Sequence, residues 1–112
     1  MIEDTIKNYL DYHLSAPVYI SVPKDKPDEY FVMEKTGGGM NEKIRQANIT
    51  VQANAKTMYK AASLIEEANA AMLDGLISLD QISDVQMNGS YNYTDTTTKK
   101  PRYQSVFVVT HY

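Results

Sequence analysis

The chain has 112 residues, 43% of them hydrophobic, with 11 basic and 14 acidic side chains and a net charge of −3. That size suits one globular domain over residues 1–112 with a single core, and the mild acidity argues against sequence-independent nucleic-acid binding, which draws on clustered Lys and Arg. The absence of cysteine excludes disulfides and thiolate metal sites, and no apolar run approaches the ~20 residues of a membrane span.

Met1 leads straight into an acidic, helix-like segment, so no secretory leader is expected, and synthesis in the cytoplasm is. Nine tyrosines stand beside two phenylalanines and no tryptophan. Tyrosine buries a ring while keeping a wet polar tip, a combination common at protein interfaces.

Ile2 to Leu14 reads as a first helix, with Ile2, Ile6, Tyr9, Leu10 and His13 on one face. Glu3 and Asp4 sit in its first turn, where the helix dipole favours negative charge. Ser15, Ala16 and Pro17 end it. Val18, Ile20 and Val22 then alternate with Tyr19 and Ser21, predicting a short strand bracketed by Pro17 and Pro23. Prolines on both sides place that strand near an edge.

Lys24 to Asp28 is a polar turn, and Tyr30 to Lys35 is β-prone, most simply pairing antiparallel with the strand before it. Thr36-Gly37-Gly38-Gly39 breaks that strand. A polar loop then leads to a third strand at Ile49, Val51 and Ala53, starting as early as Arg45.

Ala55 to Asp74 is the longest helical pattern. Ala55, Met58, Ala62, Ile65, Ala68 and Met72 step by three or four, and Gly75 supplies a left-handed C-cap. At ~1.5 Å per residue it spans about 30 Å. Its alanines let the backbone lie close to a sheet. Leu76 to Ile82 reads as a connector with one helical turn.

Val85, Met87, Tyr91 and Tyr93 share parity, with Gly89 between them as a bulge or bend. Asp95 to Pro101 is a loop, and Arg102 to Tyr112 is the strongest strand. Val106 to Val109 is apolar on both parities, which predicts a central strand with its second face covered by a helix, a loop or a neighbouring subunit. The sum is an α+β layer: a mainly antiparallel sheet of about five strands, with an N-terminal helix and one long central helix packed on one face.

Motifs for chemistry are sparse. Gly37 to Gly39 lacks both GxGxxG and GK[ST] and precedes a polar loop, which reads as a flexible or partner-ordered segment instead of a phosphate cradle. His13 and His111 belong to no metal motif. Glu66 and Glu67 are adjacent on a helix, do not face each other, and read as solubility. Lys99, Lys100 and Arg102 form the one basic cluster, near Tyr91, Tyr93 and Tyr103. That keeps a small nucleic-acid-binding regulatory module open as a rival.

Two half-chain patterns carry a family resemblance. One runs from Val18–Val22 through Pro23, Pro27, Tyr30-Phe31-Val32 and the E-x-x-G-G of Glu34 to Gly38. The other is an alternating strand, an alanine-rich helix and a final strand opening with Arg102-Tyr103-Gln104. Together they resemble the tail terminator (tail completion, or head–tail joining) proteins of long-tailed bacteriophages and related prophages. The resemblance implies a structural subunit, not an enzyme, that forms a ring, commonly six-fold, capping the tail tube and joining it to the head connector. It implies no reaction, cofactor or small-molecule substrate, and a place in the virion at the tail–head junction, with nucleic acid only passing through the ring. Carried over by position, Gly37, Gly38, Gly39 and Met40, in a loop running to Lys43, and Lys99, Lys100 and Arg102 would face neighbours or tube. Another phage neck or connector subunit is the near alternative.

Overall fold

The computed structural model describes residues 1–41 and 44–112. Helix α1 (Ile2–His13) is followed by strands β1 (Val18–Tyr19), β2 (Tyr30–Asn41) and β3 (Ile44–Asn54). Helix α2 (Met58–Ala70) comes next, and strands β4 (Ile82–Asn92) and β5 (Arg102–His111) complete the chain. The five strands form one sheet in the order β1-β2-β3-β5-β4, antiparallel except for the β1–β2 pair. The anticipated α+β layer is the fold.

Burial follows strand parity. Phe31 and Met33 on β2, Ala47 to Ala53 in alternation on β3, and Phe107 and Val109 on β5 are buried on one sheet face. They join Ile6 and Leu10 of α1 and Ala61, Leu64, Ile65 and Ala68 of α2 in one cluster. Each large side chain there contributes about 1.5–3 kcal/mol by leaving water.

The stripe on α2 is turned from the expected one. Ala61, Leu64, Ile65, Ala68 and Met72 are buried, Ala62 is half-buried and Met58 is exposed. Leu64 brings more apolar surface to the sheet than Ala62, so burial selects its side. The helix also starts later than Ala55, because the Thr57 hydroxyl caps it by accepting from the Lys60 N–H at 3.1 Å. Ala55 belongs to the sheet end, its N–H donating to the Pro101 carbonyl at 3.3 Å.

Gly75 is no left-handed cap. Its φ is −104°, and the chain passes through a π turn at Ala71–Gly75 into a 3-10 turn at Leu76–Ser78. Glycine is demanded there by packing, since the Tyr9 hydroxyl of α1 lies where a Cβ would stand. The two helices are tied again where the Ser15 hydroxyl donates to the Glu67 carboxylate at 2.9 Å. Glu67 is therefore half-buried and bonded, unlike its exposed neighbour Glu66.

Three strand expectations change. β1 has two residues and runs parallel to β2, with Val18 opposite Phe31 and Tyr19 opposite Val32. Such a short strand needs little return path, so residues 20–29 carry the chain back without a hairpin. Ile20 and Val22 stay exposed. β2 is not broken at Thr36–Gly39. It continues to Asn41 because β3 supplies ladder partners throughout, with one register shift between Lys35 and Gly37 absorbing Thr36. Glu42 and Lys43, the remainder of the anticipated loop, lie outside the described residues.

β5 lies inside the sheet between β3 and β4, and Gly89 marks one of two register shifts on β4. Only one face of β5 carries helices. Val106 and Val108 point to the other face and are half-buried. On that open face Gln52 donates to Gln104 at 2.9 Å, and Gln104 donates to the Tyr91 hydroxyl at 2.8 Å. These amides link three strands.

Candidate functional site

The residues singled out in the sequence lie at opposite ends of the sheet. Arg102 pairs with Asn54, while Met40 pairs with Arg45 at the far end. Gly37 is half-buried, Gly38 to Met40 are exposed, and all four are strand. The glycine segment and the basic loop therefore do not form one site.

The basic end is built by the loop between β4 and β5. Asp95 accepts from the Thr97 N–H at 2.8 Å through its side chain, and from the Lys99 N–H at 2.8 Å through its carbonyl. This tight turn holds Lys99 at φ 55°, a left-handed conformation that few non-glycine residues adopt. Thr94 closes the loop by accepting from the Arg102 N–H at 3.1 Å. Arg102 itself is turned back onto the loop. Its Nε donates to the Tyr93 carbonyl at 3.0 Å, and its guanidinium stacks 4.9 Å from the Tyr93 ring centre. It acts as a clamp.

Lys99 and Lys100 instead line a cleft of about 430 Å³ together with Lys26, Lys56, Asp28 and Tyr30. One lysine is neutralised in place, with Lys56 Nζ 3.1 Å from the Asp28 carboxylate. Four lysines against one aspartate leave a positive rim. Such a rim can hold phosphate or carboxylate oxygens through charge-assisted hydrogen bonds, although exposed lysines bind weakly one by one. Lys26 and Lys56 were not singled out in the sequence, and no linear spacing connects them to Lys99. Strand pairing brings them together.

A second polar group lies under α2. Ser105 is fully buried, and its hydroxyl donates to Asn69 Oδ1 at 2.6 Å, while Asn69 Nδ2 donates to Ser90 at 3.2 Å. The Ser90 and Ser105 hydroxyls are 2.9 Å apart, which closes the ring. Asn69 and Ser90 floor a groove of about 410 Å³ walled by Leu73, Met87 and Tyr103. Every partner is satisfied, so the group anchors α2 to β4 and β5.

His13 is exposed against Tyr9 and Tyr12, with ring centres 4.3 and 5.0 Å away, and His111 is buried beside Tyr112. Among the described residues no group of three or more His, Asp or Glu is placed to hold a metal ion. No helix among them is long and apolar enough to cross a membrane.

The fold defines the class: an α+β protein with one sheet, both helices on one face, and the other face open. Compared with known proteins, the chain matches no family model, and no curated protein matches it in sequence.

Proposed function

We propose that this chain is a structural assembly subunit of a phage tail, which caps the tail tube, stops its polymerisation and joins it to the head connector. The observation that carries this reading is the open sheet face. A valine and threonine stripe on β3 and β5, flanked by Gln52, Gln104 and exposed Tyr91, offers a large, nearly neutral surface for shape-driven contact. The element order, the E-x-x-G-G of β2 and the Arg102-Tyr103-Gln104 opening of β5 support the same reading by resemblance. Its partners are further copies of the chain, the tube protein and the connector, at the tail–head junction of a virion assembled in a bacterial cytoplasm. Another subunit of the same neck would differ only in its neighbours.

Negative-stain microscopy of the protein alone and mixed with polymerising tube protein tests this. The expected result is a monomer or weak associate in isolation, and a ring at the end of tubes whose growth it stops. A stable dimer at low concentration, unchanged by tube protein that grows on regardless, sinks it.

A second reading is favoured by the lysine cleft, which is broader than the Lys99, Lys100 and Arg102 cluster seen in the sequence. A small nucleic-acid-binding module would use it as a phosphate contact. Neutralising Lys99, Lys100 and Arg102 would then abolish binding to an oligonucleotide and flatten its salt dependence. Binding that is absent in the unmodified protein eliminates this reading.

A further inference from the structure

The sheet ends in two strands whose outer edges are largely unpaired among the described residues. β1 covers only Phe31 and Val32 of β2, leaving Met33 to Asn41 open on that side, and β4 pairs with β5 alone. An open edge is a template for another strand. The Phe31 N–H donates outward to the Pro17 carbonyl at 2.9 Å. By the alternation of an antiparallel ladder, Met33 and Lys35 then also direct their amides away from β3.

The two edges are complementary in direction and length. β2, β3, β5 and β4 alternate in direction along the sheet, so β4 runs opposite to β2. A second copy rotated about an axis parallel to the strands thus brings its β4 antiparallel to this β2, with both helical faces on the same side. Read across the ladders, Met33 is level with Ser90, and Met40 is level with Ile82. The open stretch of β2 therefore matches β4 without sliding.

Gly39 adds an independent sign. Among the described residues no atom lies within 4 Å of where its Cβ would stand, and its φ is not positive. Nothing among the described residues calls for glycine there, whereas bare backbone admits a close neighbouring strand. The register shifts on β2 and β4 break each edge into short runs, which disfavours indiscriminate pairing and favours a partner of matched register.

We propose that the β4 edge of one copy adds to the open β2 edge of the next, antiparallel and head to tail, joining copies sheet to sheet. Such a contact is heterologous and closes into a ring when its rotation allows. The inference rests on the self-association in the proposed function, but not on the tube as partner.

The cysteine-free sequence makes a clean test possible. Gly39 and Asp84 are level across the sheet through Gln46 and Thr110, so in the joined edges they fall within disulfide reach. A Gly39→Cys, Asp84→Cys double variant is oxidised at high protein concentration and read by non-reducing electrophoresis. Near-UV circular dichroism verifies the fold, which neither exposed substitution should alter. The double variant is expected to give a ladder of multimers, and each single variant to stay monomeric.

A double variant that crosslinks no better than the singles overturns the proposal and leaves the edges to a foreign strand or to none. Single variants that dimerise as efficiently overturn the head-to-tail arrangement in favour of like-with-like edges. A ladder in protein that fails to stop tube growth supports edge pairing and removes the tail reading. Tube capping by the reduced double variant, with no ladder on oxidation, does the reverse.

Discussion

The hydroxyl of Tyr9, on α1, occupies the space that a side chain at Gly75 would need. That contact keys the first helix into the π turn ending the second, 66 residues later in the chain. Gly75→Ala gains helical propensity of about 0.5–1 kcal/mol but meets an overlap costing typically about 1–3 kcal/mol. Net destabilisation is expected in the native background. In a Tyr9→Phe background, which removes the overlapping atom, the loss should shrink by at least about 0.5 kcal/mol. Denaturant titration of the four-member cycle measures it, and strictly additive effects would show that the two residues do not touch.

Two neighbouring glycines should respond oppositely to alanine. A Cβ on Gly38 would stand 2.6 Å from the Gln46 carbonyl oxygen of β3, which is backbone and cannot swing away. Gly38→Ala is expected to cost about 1–3 kcal/mol. Gly39→Ala meets no atom of the described residues and should be neutral or stabilising by up to about 1 kcal/mol through lower unfolded-state entropy. Equal thermal midpoints for the two variants would show that β2 and β3 are not so closely apposed.

Lys99 is held in a conformation that costs an L-residue roughly 1–2 kcal/mol. Lys99→Gly relieves that strain while adding unfolded-state freedom, so a gain of up to about 1 kcal/mol in stability is expected. The same substitution removes one cation from the cleft shared with Lys26, Lys56 and Lys100. A higher melting temperature together with weaker retention on an anionic matrix is the predicted pair of results, and a fall in melting temperature would contradict it.

Adjacent residues of β5 distinguish the two sheet faces. Phe107 is fully buried under the helices, and Phe107→Ala should cost about 3–5 kcal/mol. Val108 points to the open face, and Val108→Thr should cost under about 1 kcal/mol in the isolated protein. Chemical denaturation separates these cases. A large loss at Val108 in the monomer would mean that the open face is covered within the chain.

Periodicity made much of this fold legible. Alternating apolar residues located the buried face of β3, and stepping by three or four located both helices, whereas the register shift at Gly89 turns Tyr91 to the face opposite Val85 and Met87. Those patterns are local, and one residue of slip would expose a whole face. The bulge at Gly89 was also readable, because glycine inside an alternating run has few other uses.

Sites were less legible than faces. Lys99 and Lys100 were visible as a cluster, but Lys26 and Lys56 reach the same cleft only through the pairing of β2, β3 and β5. The Asn69, Ser90 and Ser105 ring left no linear signature, since single polar residues in apolar patterns look like surface.

By itself, then, the order of apolar and polar residues determined the number of elements, their types and the buried faces of α1 and β3, because burial depends on local period. Tertiary structure alone decided that β1 runs parallel, that β2 continues through Gly37 to Gly39, and that Gly75 answers to Tyr9 instead of to a cap. Each of those outcomes depends on a neighbour distant in sequence, which supplies a ladder partner or occupies the space.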